Sequence, residues 1–217
     1  MVWNRELAGI LVIVLMILSF IFLIVKRKKL EKGTDYFIAA IGVLTIIEVF
    51  CTLKRLSKTM YNSSLLYVIG INLIVFLLFF LYFQKILISK KLKRANLLII
   101  TIFLFNYIVS AYLVDDFFTR FPFFSYFVEV ILITGSIYLV ISQTFNSDKI
   151  LSLGTYFPVW VCLSLLVTYL GVLPLLIVSN TAAYLMNLNI FFAILFFVNF
   201  AGYSILLVGI FKAKKDT

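Results

Sequence analysis

The sequence predicts an all-α integral membrane protein, a seven-transmembrane-helix bundle with its N-terminus outside and its C-terminus cytoplasmic. Three observations predict it. The chain is 64% hydrophobic and 13% charged, against about 45–50% and about 25% in soluble domains. Seven apolar stretches are each near the roughly 20 residues that a spanning helix needs. The basic residues gather at and between the ends of those stretches and fall mainly on one side of them. A single membrane domain covering 1–217 is expected, with no soluble domain at either end. The 24 Phe residues are expected to face lipid.

The expected spans are residues 7–25, 36–53, 64–89, 96–114, 122–143, 156–178 and 188–211. The first is not expected to be a cleaved signal peptide, which carries its positive charge before the apolar run. Here Lys26, Arg27, Lys28 and Lys29 follow it, which sends the N-terminus outward. The second span carries Thr45, Glu48, Thr52 and Arg55 at steps of three and four, one face of a helix. The third holds Asn72, and a basic loop from Lys90 to Arg94 follows it. The fourth holds Asn106 and Ser110 one turn apart, and Asp115 and Asp116 close its outer end. The fifth places Ser125, Glu129 and Ser136 on one face. The sixth contains Pro158 and Pro174. The seventh holds Asn199 and Tyr203 one turn apart. It has no Lys between Leu188 and Phe211, which argues against a retinal Schiff base.

Orientation follows from the Lys and Arg residues. With the N-terminus outside, fourteen fall in the cytoplasmic loops and tail. Five (Arg5, Lys54, Arg55, Lys58 and Arg120) fall outside, the bias expected of cytoplasmic loops. The same distribution accounts for the net charge of +10 by attraction to anionic headgroups, so no nucleic-acid partner is expected. Trp3, Tyr36, Tyr61 and Tyr156 are read as interfacial anchors. The expected location is the plasma (inner) membrane.

Several chemistries are disfavoured. The chain has no His, which removes His-dependent nucleophile pairs and zinc-protease helices. Cys51 and Cys162 have no metal-ligand spacing and are expected to be small buried hydrophobes, unpaired. No cofactor, no metal and no enzymatic activity are expected. Seven spans could also be two three-helix repeats joined by a linker helix, a plan shared with small sugar and vitamin transporters. The prolines of those helices are missing from the first three spans, so only the topology matches.

An ionisable residue inside a span costs about 2.5–3.5 kcal/mol at the bilayer centre on insertion scales, so it points to a site. Glu48 and Glu129 are the two, each expected in the outer half and facing the bundle interior. Thr45, Thr52, Arg55, Asn72, Asn106, Ser110, Asn199 and Tyr203 complete an expected polar cavity that opens outward. The inner half is poorer, with Thr101, Ser142 and Ser204. The expected function is a non-enzymatic, receptor-like sensor module or accessory subunit of a membrane complex. It would bind a ligand or partner from the outer face. The short C-terminal tail suggests that a protein partner, in the membrane or at the cytoplasmic loops, carries any output. The alternative is a small solute or ion transporter or channel, proton-coupled through Glu48 or Glu129.

Overall fold

The computed structural model describes residues 5–57, 61–181 and 187–214, without the side chains of residues 5, 6 and 188. Trp3, Lys58 and Lys215 lie outside the described residues. All regular structure among the described residues is helical, and seven helices are long and apolar enough to cross a membrane. They are α1 (Arg5–Lys26), α2 (Thr34–Leu56), α3 (Ser64–Ile86), α4 (Lys90–Leu113), α5 (Phe123–Phe145), α6 (Phe157–Thr181) and α7 (Leu188–Lys212). The expected spans fall within a few residues of these, except at α4. There Lys90 to Arg94 form the first turn of the helix and not a loop. A helix can run on past its apolar stretch into water, because its backbone bonds are internal.

The order of packing defines the architecture. α1 packs on α2, α2 on α3, α3 on α5, α5 on α6, α6 on α7, and α7 back on α1. Six helices thus close a ring. α4 stands outside it, against the seam of α3 and α5. Its buried residues are Asn96, Ile100, Phe103 and Tyr107, a single stripe at steps of four, three and four. The rest of α4 is exposed, including Ile102, Phe105, Ile108 and Tyr112. The ring order maps onto itself when α1, α2 and α3 are exchanged with α5, α6 and α7. The two halves are therefore arranged alike, and α4 connects them.

Because the helices alternate in direction, the C-terminal ends of α1 and α7 and the first turn of α4 share one end. We call it the basic end, since it carries Lys26–Lys29, Lys90–Arg94, Lys212 and Lys214. Lys26 stacks over the Phe211 ring at 4.0 Å from its centroid. The turn between α1 and α2 meets the turn after α5 through Lys149 Nζ and Glu31 Oε1, 3.3 Å apart. Gly33 at the start of α2 has φ +93°, and a Cβ there would stand 2.7 Å from Lys85 Cβ. Glycine is needed for both reasons. Gln143 clamps the α3–α4 turn, accepting from the Ile88 N–H at 2.6 Å. Asn96 ties α4 to α3 by donating to Gln84 Oε1 at 2.9 Å.

The phenylalanines divide: Phe105, Phe124, Phe145 and Phe197 are among those on the outer surface, and others depart from the expected lipid-facing set. Phe37, Phe76, Phe79, Phe80, Phe83, Phe103, Phe117 and Phe157 are fully buried. In the half of the ring nearer the basic end Phe37, Phe79, Phe83 and Phe157 form an aromatic core with Tyr82, whereas Phe117 packs at the other end with Val68 and Tyr107. Phe37 lies 5.7 Å from Phe79, 5.3 Å from Tyr82 and 6.1 Å from Phe157 between ring centroids. Such pairs contribute about 0.5–1.5 kcal/mol each beyond area burial. That matters more where lipid removes the hydrophobic drive to associate. Tyr156, expected at the interface, is buried as well, with Lys149 4.2 Å above its ring. Ring-stacked aromatics are invisible to a hydropathy reading, which scores phenylalanine alike on either side of a helix.

Candidate functional site

The opposite half of the ring is hollow. A cavity of about 690 Å³ lies there, within the range of roughly 300–1,000 Å³ typical of small-molecule sites. All six ring helices line it and α4 contributes nothing. Its mouth lies at the end away from the basic clusters, where Ala8 of α1, Arg55 of α2, Phe121 before α5 and Phe192 of α7 stand. Its floor is formed near mid-bundle by Met16, Leu44, Asn72, Thr168, Tyr169 and Tyr203.

Two local departures from α-helical geometry open this space. Tyr67–Val75 of α3 and Leu166–Leu170 of α6 are π-helical. Wider turns of this kind often occur at functional sites. In α6 the cause is local. Pro174 lacks the N–H that would bond the Leu170 carbonyl, and its ring crowds that carbonyl, so the turn before it widens. In α3 the widened turn contains Gly70, where a Cβ would stand 2.2 Å from Ile47 Cδ1. The two π segments bring Tyr67, Ile71, Asn72, Thr168 and Tyr169 to the cavity wall.

The polar groups lie at graded depth. Arg55 is exposed at the mouth. Thr52 is one turn below it, and Glu48 two turns below, roughly 10 Å along the axis. Glu48 is half-buried and accepts a hydrogen bond from the Tyr67 hydroxyl at 3.1 Å. Neither Glu48 nor Arg55 makes an ion pair with a described residue. Asn72 is 1% exposed, and its Nδ2 has no hydrogen-bond partner among the described residues. Buried polar groups of this sort are nearly always satisfied. Asn199 turns its Nδ2 back to the Leu195 carbonyl at 2.8 Å, and Tyr203 is buried beneath it.

Of the ten residues expected to form the site, the structure brings six together: Glu48, Thr52, Arg55, Asn72, Asn199 and Tyr203. Thr45 is buried below them and bonds the Ile41 carbonyl of its own helix at 2.6 Å. Asn106, Ser110 and Glu129 do not reach the cavity. Asn106 and Glu129 belong to a separate polar chain at the seam of α4 and α5. Asn106 Nδ2 donates to Ser125 Oγ at 3.0 Å, and Ser125 Oγ donates to Glu129 Oε1 at 3.1 Å. Glu129 is wholly buried and its Oε2 has no partner among the described residues. Both carboxylates therefore face protein and not lipid, but in different compartments.

Sequence reasoning missed Tyr67, Tyr126, Thr168 and Tyr169 on the cavity wall. The available signal was Pro174, which marks the place where α6 must deform. Cys51 and Cys162 are both buried free thiols. No group of three or more His, Cys, Asp or Glu residues that could hold a metal is gathered among the described residues. No family model, no curated protein and no solved structure matches the chain.

Proposed function

We propose that this chain is a non-enzymatic multi-pass membrane protein that binds a small ligand in the cavity from the outer face. It acts as a receptor-like sensor module or as an accessory subunit of a membrane complex. The observation that carries the reading is the cavity with its unpartnered Asn72 amide at the floor. A buried donor without a partner costs about 1–3 kcal/mol, a cost that a ligand acceptor would offset. The bias of basic residues supports a reading with the closed end in the cytoplasm and the open end outside, and the membrane we propose is the plasma (inner) membrane. A protein partner, in the membrane or at the cytoplasmic loops, receives the signal.

Native mass spectrometry of gently extracted protein tests this reading. A bound non-protein mass that disappears in a Leu195→Trp variant, which fills the cavity, supports it. The same mass retained by that variant counts against it.

A second reading, transport, is favoured by the two alike halves of the ring, with α4 as connector and the cavity between them. Alternating access would have to open the aromatic core around Phe37. A cysteine at Thr168, with Cys51 and Cys162 replaced by alanine, separates the readings. Labelling from the outer side alone fits a receptor, and labelling from either side fits a transporter.

A further inference from the structure

We infer that the cavity takes a zwitterion with an apolar body, its ammonium group on Glu48 and its anionic group on Arg55. The inference rests on the ligand-binding reading above and adds the chemical class. Glu48 and Arg55 stand two turns apart on one face of α2, and both line the cavity. Neither forms an ion pair with a described residue. A simple cation seated on Glu48 would meet Arg55 at the mouth, and a simple anion would meet Glu48 below. A ligand carrying both charges satisfies both and brings no net charge into the bilayer. An unpaired charge there is costly.

The rest of the lining describes the body of the ligand. Between mouth and floor α1, α6 and α7 contribute Val12, Ile13, Val172, Leu176, Leu195 and Phe196, an apolar surface. Asn72 also lines the cavity, and its Nδ2 has no partner among the described residues, so the ligand carries an acceptor next to its ammonium group. An amide carbonyl fits. The α1 side leaves room, since a Cβ on Gly9 would meet nothing within 4 Å. Two opposite charges, an internal carbonyl and apolar side chains together describe a short apolar peptide or a compound built like one.

The test is binding of the dipeptide leucyl-phenylalanine to the purified full chain in detergent, read by calorimetry beside melting curves. Its N-acetyl and C-amide derivatives are compared with it, as are octylamine and octanoate. The free dipeptide is expected to bind, and each blocked derivative to bind about tenfold more weakly or worse, about 1.4 kcal/mol. Glu48→Gln should bind the free and N-acetyl forms alike, and Arg55→Gln the acid and amide alike. If either variant fails to fold, the derivatives on the unaltered chain decide. Octylamine or octanoate binding better than the dipeptide overturns the zwitterion while leaving a ligand cavity. Failure of every probe to bind, or to shield a cysteine at Thr168 from labelling, overturns both.

Discussion

The Tyr67 hydroxyl donates to Glu48 Oε1 at 3.1 Å across the seam of α2 and α3. This bond joins a carboxylate on a regular helix to a side chain on a π-helical turn, and it faces the cavity. Tyr67→Phe removes the only hydrogen bond the described residues make to Glu48. The expected loss of stability is about 1–3 kcal/mol, read as an earlier melting transition in detergent. Glu48→Gln keeps an acceptor for Tyr67 and sheds the charge, so it should melt no earlier than the unaltered chain while losing the ligand response. Early melting of Glu48→Gln would make the residue structural.

Glu129 should behave in the opposite way. Its carboxylate holds the chain from Asn106 through Ser125, and it is wholly buried. Glu129→Ala strands the Ser125 hydroxyl and leaves a void. Leu-to-Ala changes in protein cores cost about 2–5 kcal/mol, and a loss of that order is expected here. Yield and melting temperature should fall together. Glu129→Ala with unchanged melting would remove the polar chain from the account of the α4–α5 seam.

Glycines on α1 and α7 give a matched pair of tests. A Cβ at Gly202 would stand 2.0 Å from Thr168 Oγ1 and 3.3 Å from the Ser164 carbonyl, which is also where Ser164 Oγ donates to the Gly202 carbonyl at 2.8 Å. Gly202→Val therefore forces α6 and α7 apart, at about 1–3 kcal/mol. Gly9→Ala meets nothing within 4 Å and should melt as the unaltered chain does. Equal melting of the two variants would contradict the close approach of α6 and α7.

Orientation can be tested independently of any ligand. Ser57 at the open end and Lys91 at the basic end are both exposed. In intact cells an impermeant thiol reagent should label Ser57→Cys and spare Lys91→Cys. The reverse pattern inverts the topology.

The helices were legible because a spanning segment must be apolar along its whole length, and composition alone reveals it. Glu48 and Arg55 were legible as neighbours because helical spacing fixes their common face. What spacing on one helix cannot give is which helices meet. Asn106 and Glu129 were grouped with Glu48 because all lie in the same half of the bundle. Asn106 falls elsewhere because α4 stands outside the ring, and Glu129 because its face of α5 is turned to the seam with α4. Tyr67 and Tyr169 were missed for a different reason. Their places depend on π turns that shift the helical phase, and only the turn ahead of Pro174 leaves a mark in the sequence.

Trp160 has a use of its own. It lies near the start of α6 at the basic end, donates its indole N–H to the Gly154 carbonyl at 3.1 Å, and packs on Gly209 of α7. Trp3, the chain's other tryptophan, can be changed to phenylalanine, which leaves a single indole fluorophore. That fluorophore sits on the far side of the aromatic core from the cavity mouth. A compound bound there cannot quench it by contact. Any shift of its emission on binding therefore reports movement of α6 against α7 carried through the bundle. The molecule holds a built-in optical gauge for whether its two ends communicate.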